Sequence, residues 1–523
     1  MDAIDLEIAH HRLAGVAEEM GVVLGRTALS PNIKERRDYS CALFDASGAL
    51  VAQAAHIPVH LGSTPLAVRA AIERVALGPG DVAIVNDPFA GGTHLPDVTV
   101  VAPVHLRGRA RPFAYVANRA HHADIGGMAP GSMPLATEVL QEGFRLPPVR
   151  LVAGGKMVAD VLALFLANTR VAREREGDLM AQWAALRVGA ERVRELCAAH
   201  GAARVAREMA ALQRYSEALM AATLRTLPRG TYRAVDVLDD DGFGAVRLRI
   251  AVAVTVGRGR ARVDFTGTAP QTRGPVNANL AVTRSAVLYV FTALAGGDVP
   301  ANDGVARRIA IVAPEGSLVN ARFPAAVAGG NVETSQRIVD VVLRALAAAA
   351  PDRIPAASAG SMSNVAIGGV VGDQQFAYYE TLAGGAGGGP GGPGLSAVHT
   401  HMTNTMNTPV EALEAYYPLR VRQYAVRRGS GGRGRHRGGD GVVRELEFLT
   451  AAQLTLLGER RCVTPPGLAG GDAGRAGRDV LVVHGRARRV PAKSTFQVGP
   501  GDRLRVETPG GGGFGRPRRL ARR

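Results

Sequence analysis

The sequence predicts a mixed α/β fold: a large, multi-segment body with mixed sheets, a central helical segment and a β-rich C-terminal part. Three observations carry this expectation. Short valine-rich runs bounded by Gly, Pro, Asn and Asp recur through residues 1–150, as strands do. Met157 to Leu227 is rich in Ala, Leu and Arg with little Gly or Pro, which suits helices. At Leu227-Pro228-Arg229-Gly230 the composition turns to alternating, valine-rich segments, the pattern of an antiparallel meander. The chain then divides into 1–150, an α/β region; 151–230, helical; 231–350, a meander plus helices; and 351–523, glycine-rich loops and strands.

Taken in order, Ile4, Ile8, Leu13, Val16, Met20 and Leu24 fall at helical spacing and predict an amphipathic opening helix. Cys41–Phe44 and Ala49–Gln53 read as a hairpin around Asp45-Ala46-Ser47-Gly48. Cys41 within it reads as a buried, inert thiol. His56-Ile57-Pro58-Val59-His60 is extended, which puts His56 and His60 on one face. That face points either into a site or to solvent. Ser63-Thr64-Pro65 starts a helix that runs through Val75. Val82–Val85 is a strand that delivers Asn86 and Asp87.

Next come two β-type runs, Val98–Val104 and Phe113–Ala117, with polar clusters at their ends. The first cluster is Asn86, Asp87, His94 and Asp97; the second is Asn118, His121, His122 and Asp124. His and Asp together suit zinc, manganese or iron(II). His94-x-x-Asp97 and His121-His122-x-Asp124 form one site only if the two runs are neighbouring strands whose ends meet. Glu138 and Glu142 follow, and Glu142 is the nearest carboxylate in sequence that could serve as a general base, or else a surface glutamate.

The helical segment breaks near Gly177 and Gly201. The meander comprises Tyr232–Asp240, Ala245–Val256 and Ala261–Phe265, with helices over Ser285–Ala295 and Asn331–Ala350. Gly384 to Gly394 is a glycine-proline run, a lid or a plain linker. It resembles neither a GxxxxGK[ST] phosphate loop nor a strand–GxGxxG–helix unit. His399 and His401 follow it as further site candidates.

Composition excludes several classes. No run approaches twenty uninterrupted apolar residues, so no transmembrane helix is expected. The N-terminus carries acids early and is no secretory signal. Three dispersed cysteines argue against a disulfide framework and for a reducing cytoplasm. The net charge of +16 is nearly all arginine, with lysine only at Lys34, Lys156 and Lys493. No nucleic-acid-binding motif accompanies it, so no specific nucleic-acid partner is expected. The Arg516–Arg523 tail reads as a solvated end.

The segments NDPFAGGTHLPDV and HHADIGG, with RRDYSCALFD, HIPVHLGS, THMTNTMNTPVEALEAYYPLRV, GRHRGGDGVVRE and TPGGGGFG, occur in one order along nearly the whole chain. In that order they resemble the hydantoinase B family, the B-type components of ATP-dependent hydantoinases and 5-oxoprolinases, which are related to the acetone carboxylase α subunit. One departure is Pro393-Gly394, where the family has Asp-Gly. The resemblance implies a hydrolase of a cyclic amide in a hetero-oligomer. A separate A-type subunit would spend ATP to phosphorylate the substrate's carbonyl oxygen, and this chain would open the ring. It implies His94, Asp97 and one of His121 and His122 as ligands of a divalent ion. Asp87, Asp124, His56 and His60 support them. Two alternatives are an acetone-carboxylase-type carboxylase and a non-catalytic structural partner.

Overall fold

The computed structural model describes residues 2–54, 57–297 and 299–517. His56 and the end of the arginine tail lie outside them. The N-terminal half is built on a seven-stranded sheet in the order Leu50–Gln53, Tyr39–Asp45, Ala114–His121, Asp97–Val104, Val82–Val85, Val149–Ala153, Lys156–Met157, with every neighbouring pair antiparallel. Strand alternation gives its two faces different partners. Val98, Val100, Val116 and Ala120 bury against the long helices Ala3–Thr27 and Ala172–His200. Val101, Tyr115 and Ala117 bury against Val68 and Ala71 of helix His60–Arg74.

The meander is a four-stranded sheet, Ile309–Val312, Arg260–Asp264, Val246–Gly257, Gly230–Asp240, whose first pair is parallel and the rest antiparallel. Helices Leu280–Ala295 and Ser335–Leu346 cover it in the largest core. Two further antiparallel sheets follow. One contains Gln374–Glu380, Asn364–Val371, Ala452–Leu457 and Lys493–Val498; the other runs Leu419–Arg427, Gly441–Phe448, Arg503–Glu507, Arg478–Val483, Arg486–Val490. No helix among the described residues is long and apolar enough to cross a membrane.

Three local expectations differ from what is observed. The helix expected from Ser63 begins at His60, with Pro65 inside it. His60 is therefore a helix residue and does not lie on an extended face. The helical segment breaks at 168–171 and Gly201, and Gly177 lies inside helix Ala172–His200. There the glycine permits close packing: a Cβ on Gly177 would sit 2.3 Å from Leu29 Cδ1. The expected Asn331 helix opens with a π-helical turn, Gly330–Thr334, before becoming α-helical.

The glycine-proline run is neither lid nor linker. Its backbone packs against the extended segment 356–359 and against glycine-rich segments around 430–441, 466–474 and 508–515. Ala359 N donates to Gly385 O, Gly439 N to Ala386 O, Gly388 N to Gly512 O, and Gly511 N to Gly439 O. A Cβ would lie 1.8 Å from Ala356 O at Gly387, 1.9 Å from Leu395 O at Gly439 and 2.0 Å from Ala386 O at Gly511. Glycine is used here because backbones occupy the space of side chains.

Candidate metal centre

Strands Asp97–Val104 and Ala114–His121 are neighbours, and Asp97 stands directly opposite His121. The valine-rich interiors bury on both faces, which fixes the register. The polar ends therefore meet. His94 enters from the loop just before its strand, where Asp97 N donates to His94 O. Asn279 holds that loop by donating from Nδ2 to the carbonyls of Gly92 and Thr93 at 3.1 and 2.8 Å.

One donor atom from each of His94, Asp97 and His121 lies within 4.8 Å of the other two. His94 Nε2 is 3.2 Å and His121 Nδ1 is 3.3 Å from Asp97 Oδ1. Two donors about 2.1 Å from a shared ion, at right to tetrahedral angles, are about 3.0–3.4 Å apart. The two separations from Asp97 Oδ1 fit that range. Both ring nitrogens of His94 are buried without a hydrogen-bond partner, although Nε2 lies so near the carboxylate. Atoms aimed at a common third point rather than at each other have this geometry. The donor set, two imidazoles and a carboxylate, is chemically fit for a divalent ion.

The surroundings hold the carboxylate in place. Thr93 Oγ1 donates to Asp97 Oδ2, and His60 Nε2 lies 3.6 Å from the same oxygen. His60 Nδ1 is 2.9 Å from Ser40 Oγ. Burial by itself raises the Asp97 carboxyl, but His94, His121 and His60 outweigh it and hold the group well below the usual carboxylate range. Asp97 is therefore ionised. Burial lowers the His121 imidazole, which favours the neutral form a metal requires. Behind them Arg119 is fully buried, donating to Thr99 Oγ1 at 2.8 Å and Ser63 Oγ at 2.5 Å. Desolvation lowers it to about 10.

The other expected residues separate from this cluster. His122 is on the opposite face of the sheet, as its neighbouring position dictates. Its Nε2 lies 2.9 Å from Gln182 Oε1, its ring meets Phe165 edge-on, and burial pushes it down to about 4. Asp124 is a clamp: it accepts from Gly126 N, Gly131 N, Arg170 N and Arg170 Nη1. Asp87 pairs with Arg145 at 3.1 Å and accepts from Phe89 N. Glu142 is buried, not a surface residue. Its Oε1 accepts from Val327 N and Ala328 N, and burial pushes it up to about 8. That shift favours its protonated form at neutral pH and does not suit the general base expected of it. His401 turns to Asp340, with Nε2 3.5 Å from Oδ1. Burial pushes His399 down to about 4.

Sequence reasoning missed Tyr379, whose ring stacks on His121 with centroids 4.8 Å apart and planes at 11°. It also missed Arg36, whose guanidinium lies 5.0 Å from the centroid of the Tyr379 ring and whose Nη1 donates to Tyr379 O. Arg36 opens the RRDYS segment and Arg119 lies two residues before His121. Both are arginines placed next to site residues, a usable signal. Tyr379 comes from a distant strand and carries none.

Known proteins resemble this chain along nearly its whole length. A Methanocaldococcus jannaschii protein described as uncharacterized is 41% identical over 99% of this chain and 91% of its own length. 5-oxoprolinase 1 of Arabidopsis thaliana is 39% identical over 98% of this chain, which spans 42% of that relative. The putative B-type component of a D-/L-hydantoinase from Pseudomonas sp. is 31% identical over 99% of this chain and 90% of its own. Among solved structures, the ATP-dependent caprolactamase of Pseudomonas jessenii matches with a TM-score of 0.92 at 29% identity, covering 99% of this chain and 92% of that one. Nucleotide-free acetone carboxylase shares the fold, with a TM-score of 0.90 at 20% identity over 98% of this chain and 76% of that one. The family model Hydantoinase B/oxoprolinase matches residues 2–517, and the chain belongs to that family.

Proposed function

We propose that this chain is the metal-dependent, ring-opening component of an ATP-dependent cyclic-amide hydrolase of the hydantoinase or 5-oxoprolinase type. The observation that carries the reading is the approach of His94 Nε2 and His121 Nδ1 to Asp97 Oδ1 at the buried ends of two neighbouring strands. A manganese, zinc or iron(II) ion held there supplies polarisation of a carbonyl or a water of lowered pKa. His94, Asp97 and His121 are the ligands, and three protein ligands leave positions open for substrate and water. Thr93 and His60 orient the second Asp97 oxygen, as partners of metal ligands do. Asp87, with Arg145, sets the loop that carries His94, and Asp124 sets the loop after His121.

The substrate in this reading is a small cyclic amide phosphorylated by an A-type subunit in a hetero-oligomer. The share of each chain that matches supports the division. This chain spans 42% of the plant 5-oxoprolinase, which leaves room there for a second activity. It spans 90% of the putative B-type hydantoinase component. The test is metal analysis together with ATP-dependent turnover of a panel of hydantoins, lactams and 5-oxoproline, with and without a co-expressed A-type subunit. Turnover that needs the ion, ATP and both chains supports the reading. Bicarbonate-dependent carbon addition would instead identify a carboxylase. Full activity of the A-type subunit alone would reduce this chain to a structural partner.

A further inference from the structure

Tyr379, stacked on His121, is itself held by a chain of buried polar groups leading to the π-helical turn. Its hydroxyl donates to Asn364 Oδ1 at 2.7 Å. The Asn364 amide has only one way to face. Its Nδ2 donates to Glu333 Oε1 and to Leu457 O, both at 2.7 Å, so its oxygen must face the phenol. Glu333 Oε1 also accepts from Met362 N at 3.1 Å. Glu333, Asn364 and Tyr379 are all essentially inaccessible to solvent.

The backbone is specialised to place Glu333. Residues Gly330–Thr334 form a π-helical turn at the head of helix Ser335–Leu346. Such turns are rare and cluster at functional sites. A Cβ on Gly330 would lie 1.8 Å from Asn277 O, so only glycine lets the widened turn seat against that segment. Asn279, two residues on, holds the carbonyls of Gly92 and Thr93 beside His94. The turn thus braces the His94–Asp97–His121 cluster from two sides.

We propose that Glu333 is a positioning residue for this cluster: through Asn364 and Tyr379 it fixes the orientation of the His121 ring. The proposal rests on the metal reading above for its consequence, but the positioning itself is a property of the chain. Glu333 fixes the amide of Asn364, the amide fixes the phenol, and the flat face of Tyr379 fixes the plane of the imidazole. His121 Nδ1 then faces Asp97. Burial pushes the Glu333 carboxyl up to about 8. A neutral side chain at this position is thus already the state at neutral pH, and glutamine can replace it with both acceptor contacts kept.

The experiment uses the full chain and four substitutions: Glu333→Ala, Glu333→Gln, Tyr379→Leu and, as a control for loss of a buried carboxylate elsewhere, Glu208→Ala. Glu208 accepts from Arg12 and Arg204, remote in sequence from the network. The first readout is the ring resonance of His121 in histidine-labelled, metal-free protein, assigned with His121→Gln. The second is affinity for Mn2+ by titration calorimetry. Glu333→Ala and Tyr379→Leu are expected to move the His121 resonance and weaken Mn2+ about 10–100-fold, the usual effect of losing a group that orients a ligand. Glu333→Gln should stay within about threefold of wild type, and Glu208→Ala should leave both readouts in place. An unmoved His121 resonance in folded Glu333→Ala, or equal loss of Mn2+ in Glu208→Ala, overturns the proposal. If wild type binds none of Mn2+, Zn2+ and Fe2+, the metal reading fails, and the resonance still decides the positioning role.

Discussion

Adjacent histidines His121 and His122 should respond in opposite ways to the same substitution. They stand on opposite faces of the sheet, one toward Asp97 and one toward Gln182. His122→Ala leaves Gln182 Oε1 without its 2.9 Å partner in a fully buried position. An unpaired buried acceptor costs about 1–3 kcal/mol. The lost edge-on contact with Phe165, at 5.8 Å between centroids, adds about 0.5–1.5 kcal/mol. A loss of about 1.5–4.5 kcal/mol is therefore expected, with metal content unchanged. His121→Ala instead leaves two protein ligands, fewer than the three that catalytic sites keep, and the ion should be lost on gel filtration. The assay pairs urea midpoints with metal content by mass spectrometry on the same samples. Loss of the ion in His122→Ala with retention in His121→Ala would refute the assignment of faces, and with it the register argument.

Three further outcomes follow from the packing and the charges. Gly439→Ala puts a methyl 1.9 Å from Leu395 O, whereas Gly391 has no atom within 4 Å. The first should destabilise by about 1–3 kcal/mol or more and the second should not, as urea unfolding will read. Glu142 has a folded pKa of about 8 against an ordinary value of 4.5. The folded state therefore binds more protons than the unfolded state between those values, and its contribution to stability falls as pH rises through that window. Glu142→Gln, compared with wild type by unfolding across pH 5–8, should remove that part of the fall; parallel curves would contradict it. Binding to random DNA should be weak, indifferent to sequence and lost steeply with salt, and sequence-selective binding at physiological salt would overturn that reading of the charge of +16.

Much of the N-terminal half was legible because burial on both faces of a sheet leaves a plain signature. Val98–Val104 reads as a strand on composition alone, and His94-x-x-Asp97 sits at its end. Alternation then separates His121 from His122, but only once the face of one residue is known. Sequence could not supply that, because the partners Gln182 and Tyr379 come from remote elements. Helix boundaries shifted where tertiary packing overrode local signals. Gly177 reads as a breaker, yet it sits within a helix, where Leu29 packs into the space of its missing side chain. The glycine-proline run misled for a related reason. Glycine is normally a sign of freedom, and here its backbone is packed like a core. The π-helical turn at Gly330–Thr334 carries a single apolar residue, Val332, so periodicity cannot reveal it.

The most direct measurement of the central claim is anomalous diffraction from crystals of the purified chain, collected on both sides of the absorption edges of manganese, iron and zinc. The account predicts one peak per chain, bounded by His94, Asp97 and His121, at about 2.0–2.2 Å from each donor atom, and absent in His94→Ala crystals with the sheet intact. A peak elsewhere in the chain, or none in protein that still turns over a cyclic amide with its partner, would contradict it.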